Sequence, residues 1–109
     1  MKHLKYFENK NKNIEIGDYV LLKCENVITD NKELDEYIKF LNTNIGIVSK
    51  YVNNYVDVSY QNVPTNVRKF LVYSKKSYIV PNTHVSMIKY YGKTKESVEI
   101  QISSEKYNI

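Results

Sequence analysis

Residues 44–60 carry the clearest hydrophobic pattern in the chain. Two arms rich in β-branched and aromatic residues, Asn-Ile-Gly-Ile-Val-Ser-Lys-Tyr-Val and Tyr-Val-Asp-Val-Ser-Tyr, flank Asn53-Asn54. Asparagine tolerates the left-handed backbone of a tight turn, so the stretch predicts a β-hairpin. A two-residue loop sets the pairing: Val52 with Tyr55, Tyr51 with Val56, Lys50 with Asp57, Ser49 with Val58, Val48 with Ser59 and Ile47 with Tyr60. One face then holds Ile47, Tyr51, Val56, Val58 and Tyr60, with Ser49 its small polar member. The other places Lys50 opposite Asp57. A slip of one residue would turn Asp57 into the core.

The same reading extends along the chain. Residues 1–13 form a lead-in whose Leu4, Tyr6 and Phe7 are candidates to dock on a domain spanning 14–109. Ile14 to Cys24 predicts a strand entered through a Gly17-Asp18 turn. Asp30 with Glu33 resembles a capping box. Leu34, Tyr37, Ile38 and Leu41 then recur at helical spacing, predicting an amphipathic helix near Lys32 to Leu41. Pro64 suits the first turn of a short helical plug carrying Val67, Phe70 and Leu71. Ser74 to Ser77 reads as a loop. Tyr78 to Val80 reads as a strand broken by Pro81-Asn82, and His84 to Tyr90 as another. Gly92-Lys93 marks a turn. Val98, Ile100 and Ile102 alternate with Glu99 and Gln101, which predicts a strand over Ser97 to Ser103, with a helix from Lys95 as the alternative.

Composition narrows the class. The 109 residues suit one domain, with 11 tyrosines and no tryptophan. A tyrosine can bury its ring and keep its hydroxyl wet, which suits a thin barrel. The single Cys24 rules out an internal disulfide and fits a reducing compartment or a buried thiol. No apolar run approaches a membrane span, and the N-terminus lacks a signal-peptide pattern, so the expected setting is cytoplasmic, without a membrane partner.

The order Ile16-Gly17-Asp18-Tyr19-Val20-Leu21-Leu22, Asn44-Ile45-Gly46-Ile47-Val48 and Tyr55-Val56-Asp57-Val58-Ser59-Tyr60 resembles Src-homology-3-like small barrels of the KOW and Tudor kind. The likeness covers about Ile14 to Tyr90. It implies a mainly β fold, here a small barrel of five or six strands with one inserted helix. KOW-type domains bind RNA or proteins of the transcription and translation machinery, so the resemblance implies such partners. The Met-Lys-His-Leu-Lys-Tyr-Phe-Glu opening, with Asn-Val-Pro after the third strand, is also similar to small bacteriophage proteins, whose setting is the host cytoplasm.

Charge supplies the candidate chemistry. No carboxylate occurs from Val58 to Lys95, while Arg68, Lys69, Lys75, Lys76, Lys89, Lys93 and Lys95 give that window a formal charge of +7. Tyr60, Phe70, Tyr73, Tyr78, Tyr90 and Tyr91 interleave with them. Cations meet phosphates and rings stack on bases, so Arg68, Lys69, Tyr73, Lys75, Lys76, Lys89 and Lys93 form a candidate nucleic-acid face. The competing reading is dispersed surface lysines over core tyrosines. One arginine in the chain disfavours bidentate base readout and favours salt-sensitive backbone binding. Glu33, Asp35 and Glu36 are either a protein-docking face or the wet side of a helix start. Cys24, His3 and His84 provide no local metal-ligand pair, and no phosphate loop or nucleophile elbow is visible. A Cys24–His84 pair would lack an orienting group. The expected protein is a non-enzymatic binding module without cofactor. Its partner is nucleic acid or, alternatively, a protein of host or phage, and a minor structural role in an assembly is a third reading.

Overall fold

In a computed structural model of the chain, residues 13–24 and 30–107 are described. The lead-in, with Leu4, Tyr6 and Phe7, lies outside them apart from Asn13.

The predicted hairpin forms the centre of the molecule. Strands β2 (Ile45–Val52) and β3 (Tyr55–Tyr60) join through Asn53 and Asn54, with φ of 50° and 69°. Val52 pairs with Tyr55, Tyr51 with Val56 and Lys50 with Asp57, as expected. Beyond them a bulge at Ser49 shifts the register, so Val48 faces Val58 and Ile47 faces Ser59. The expected pairing of Ser49 with Val58, Val48 with Ser59 and Ile47 with Tyr60 is therefore corrected. Val48 enters the core at 1% exposure, while Ile47 is half-buried on the other face. The cause lies outside the hairpin. Val48 accepts from the Gly17 N–H at 2.8 Å and donates to the Asp18 carbonyl at 2.9 Å, so β2 serves two partners at this point.

Strand β1 (Tyr19–Leu22) follows the Gly17 turn, where φ is +98°. Helix α1 (Lys32–Thr43) comes next. Its cap is Asn31 rather than Asp30: the Asn31 Oδ1 accepts from the N–H groups of Glu33 and Leu34 at 3.0 and 3.1 Å. The apolar stripe is wider than expected, since Phe40 is buried beside Leu41. Helix α2 (Thr65–Arg68) is the plug predicted after Pro64. It buries Val67, and Phe70 just beyond it stacks on Tyr37 of α1 with ring centroids 4.8 Å apart.

Three segments depart from the sequence reading. Ser74 to Ser77 is a tight hairpin instead of a loop, joining β4 (Val72–Ser74) to β5 (Ser77–His84). Lys75 and Lys76 adopt φ of 50° and 67°, the backbone of a two-residue turn without its usual glycine or asparagine. Pro81-Asn82 does not break β5. Both residues bulge opposite Asp57, whose carboxylate accepts the Asn82 N–H at 3.0 Å, and a bulge needs no ladder donor from proline. The expected strand from His84 begins as a 3₁₀ turn (Val85–Met87), in which His84 Nδ1 accepts from Ser86, before β6 (Ile88–Gly92).

The largest correction is α3 (Lys95–Tyr107), a helix where alternation predicted a strand. Val98 and Ile102 stand four apart, so they share a helix face as readily as a strand face. Val98 is fully buried and Ile100 is 64% exposed, which separates the two readings. Thr94 Oγ1 accepts the Ser97 N–H, and Gln101 donates to the Tyr91 carbonyl, fastening the helix to β6.

All neighbouring strands are antiparallel, in the order β4-β5-β3-β2-β1-β6. The sheet is not closed into a barrel, and β4 and β6 are its edge strands among the described residues. Val20, Leu22, Val48, Val56, Val58, Tyr60, Val80 and Ile88 meet Phe40, Leu41, Val63, Val67 and Leu71 on one face. Leu21 and Val98 are buried apart from that cluster, where α3 packs against β1 and β6.

Candidate nucleic-acid interface

The seven residues expected to form one basic and aromatic face are divided between the two edges of the sheet. Arg68, Lys69, Tyr73, Lys75 and Lys76 lie at or beside β4. Lys89 lies on β6 and Lys93 just after it. Four strands separate the groups in the sheet order, so the seven residues do not share one edge.

At the β4 edge the parts converge. Tyr60, Tyr78 and Tyr73 are successive cross-strand neighbours on β3, β5 and β4, so their rings line one side of the sheet. Exposure rises along the row, from a buried Tyr60 to a Tyr73 that is 61% exposed. The Tyr73 and Tyr78 ring centroids are 4.9 Å apart. The Arg68 guanidinium sits 5.2 Å from the centre of the Tyr78 ring, anchored by its Nε donating to the Val63 carbonyl at 2.8 Å. Lys75 and Lys76, both exposed, form the turn of the hairpin whose strands carry Tyr73 and Tyr78. Among the described residues, Arg68, Lys75 and Lys76 have no carboxylate partner. Tyr78 completes the cluster, and its signal in the sequence was the interleaving of rings with cations.

The other three cations are engaged. Lys69 pairs with Glu33, and Glu36 accepts from Asn66. Two members of the acidic cluster on α1 thus hold α2 and its flank within the chain itself. Lys89 pairs with Glu105 at 3.0 Å, and the Tyr90 hydroxyl donates to the same carboxylate. That hydrogen bond pushes the Tyr90 phenol up to about 12. Bonds from Tyr90 and then Lys89 hold the Glu105 carboxyl below its ordinary value. Lys93 reaches Glu15 at 2.5 Å and the 2% exposed Asp18 at 3.0 Å. Its ammonium is raised by the bond to Glu15 first and to Asp18 second.

Cys24 is half-buried, its main chain held by Asn42 of α1 through bonds of 2.7 and 3.1 Å. Burial pushes its thiol up, opposite to the shift that activates a nucleophile. His84 is engaged with Ser86 and lies edge-on to Tyr55, so each residue of the Cys24–His84 pair has other neighbours. Among the described residues, no three His, Cys, Asp or Glu side chains gather to hold a metal. No helix there is long and apolar enough to cross a membrane.

No protein family, curated protein or solved structure matches the chain.

Proposed function

We propose that this protein is a non-catalytic binding module that takes single-stranded nucleic acid at its β4 edge. The observation that carries the reading is the cluster of Arg68, Lys75 and Lys76, without a carboxylate partner among the described residues, beside the ring pair of exposed Tyr73 and half-buried Tyr78. Single strands need both parts: cations track the backbone, and any base has a face that can stack on a tyrosine. A duplex hides those faces. Strand order supports a Src-homology-3-like arrangement opened between β4 and β6, since β6 returns to pair with β1 as the last strand of such a barrel does.

Three cations meeting three phosphates give a slope of log affinity against log salt of about −2 for a single strand. The test is anisotropy of a labelled single-stranded oligonucleotide across a salt series. Lys75→Gln with Lys76→Gln flattens the slope by about 0.7 for each lost contact. No binding of DNA or RNA at low salt would end this reading.

A second reading is favoured by one feature. The Ser74–Ser77 pair closes a two-residue hairpin, so Tyr73 on the next rung turns its N–H and carbonyl toward the open edge. An extended segment of a partner protein can add there as a further strand. Such binding would be insensitive to salt, and protein captured from a host lysate would identify it.

A further inference from the structure

A cleft of about 450 Å³ opens beside the first turns of α3 and matches no residue in the expected site. Its size is that of a small-molecule pocket. Tyr19 offers it a half-buried ring, and Tyr60 lines its inner end. Gln61 and Asn62 bring two side-chain amides, and α3 brings Lys95 and Glu99. Among the described residues, none of these four polar side chains has a hydrogen-bond or ion-pair partner. They are an open set of donors and acceptors facing one space.

We propose that this cleft receives one base of the bound strand and gives the protein a preference for bases carrying an exocyclic amine. The inference rests on the reading of the β4 edge as a single-strand site. Amides of Asn and Gln present a donor and an acceptor side by side, which matches a base edge. The Glu99 carboxylate only accepts, so it pairs with the amine of cytosine or adenine and meets the carbonyl oxygens of thymine or uracil unfavourably. Lys95 is the cation available to the attached phosphate. Tyr60 belongs to both places: it lines the cleft and is the cross-strand neighbour of Tyr78 in the ring row that ends at Tyr73. Tyr19, Ile47 and Ser59 of the cleft lie on the sheet face opposite Tyr73 and Tyr78, so in this proposal the bound strand passes around the Tyr60 end of β3 to reach both.

The experiment measures anisotropy of oligo(dA), oligo(dC) and oligo(dT) of equal length with the intact protein. The wild type binds oligo(dA) and oligo(dC) about tenfold more tightly than oligo(dT), the scale of one good base contact. Glu99→Gln and Asn62→Ala, both at exposed positions, abolish that ratio and leave the salt slope on oligo(dT) unchanged. Equal affinities in the wild type overturn the proposal, as does a ratio that survives both substitutions. Either result, with binding still dependent on Lys75 and Lys76, leaves the β4 reading standing. Failure to bind all three oligonucleotides overturns both. Unchanged thermal melting of the variants excludes a loss of fold as the cause.

Discussion

The two edges of the sheet began as one stretch of charge and end as opposites. At β6, Lys89 and Lys93 are held by Glu105, Glu15 and Asp18, and α3 packs across the neighbouring strands. At β4, Arg68, Lys75 and Lys76 stand beside two tyrosines with no carboxylate partner among the described residues. The carboxylates that close β6 come from both sides of the carboxylate-free window, near the start of β1 and from α3. A charge run marks a binding surface only when the fold brings no counter-charge to it. The β6 cations are held in contacts within the chain, and the proposed binding site is confined to the β4 edge.

The severest way to break this contrast is to disturb what both edges share. Gly46 lies in the central strand β2, and a Cβ there would fall 2.5 Å from Val58 Cγ1 and 2.8 Å from the Tyr60 ring. The backbone approaches these side chains too closely for any other residue. Gly46→Ala should cost about 1–3 kcal/mol through overpacking. Thermal or urea unfolding measures it, and both edges should be lost in one transition. Next in size is charge reversal at the open edge. Lys75→Glu with Lys76→Glu should remove most oligonucleotide affinity at low salt, whereas Lys89→Gln with Lys93→Gln should change it little. Equal losses from the two pairs would show that the edges are not distinct.

How much of this was legible in sequence depends on the range of each interaction. The β2–β3 turn was legible because Asn53-Asn54 is a local signal for left-handed backbone. The Lys75-Lys76 turn has the same backbone and was not, because lysine carries no such preference. The Ser49 bulge was hidden because its cause, the Gly17–Asp18 turn, lies about thirty residues away. Alternation at Val98, Ile100 and Ile102 could not decide between strand and helix, since positions four apart share a face in both. Every member of the β4 cluster is a candidate from sequence except Tyr78, which the pattern marks only as one of the interleaved rings. Their separation from Lys89 and Lys93 depended on strand order, which no local pattern encodes. The cleft was invisible for the same reason, since its walls come from α1, β1, β2, β3 and α3.

A smaller effect sits midway between the edges. The Tyr60 hydroxyl is buried and has no hydrogen-bond partner among the described residues. Burial raises its pKa, with lesser contributions from Tyr37 and Cys24; burial also raises the Tyr37 and Cys24 groups. Each is neutral when protonated and resists ionising in the fold. Their stabilising contribution is complete below the ordinary thiol and phenol values of 9.0 and 10.0, and is lost as pH rises through the higher folded values. The protein should therefore lose stability steadily above about pH 9. Tyr60→Phe removes the unpaired hydroxyl, so it should stabilise by about 1 kcal/mol and weaken the alkaline loss. A lower melting temperature for that variant would mean the hydroxyl is satisfied in solution.

The finest test adds a cation to each edge in turn without altering the cations themselves. Glu33→Gln releases Lys69, which follows Arg68 in the chain and lies beside the open cluster. Glu105→Gln releases Lys89 on β6. Both pairs are exposed, and surface pairs like Lys69–Glu33 contribute only about 0–1 kcal/mol, so the fold tolerates the loss of either. Each variant raises the net charge by the same amount, so a general attraction to polyanions would respond equally to both. A site at β4 responds to one. Glu33→Gln should steepen the salt slope by about 0.7 and tighten binding a few-fold at low salt, while Glu105→Gln leaves the slope as it was. Identical slopes for the two variants would reduce the β4 cluster to a local share of a diffuse positive field. Unequal slopes would mean that the strand lies where the fold has left its cations unopposed.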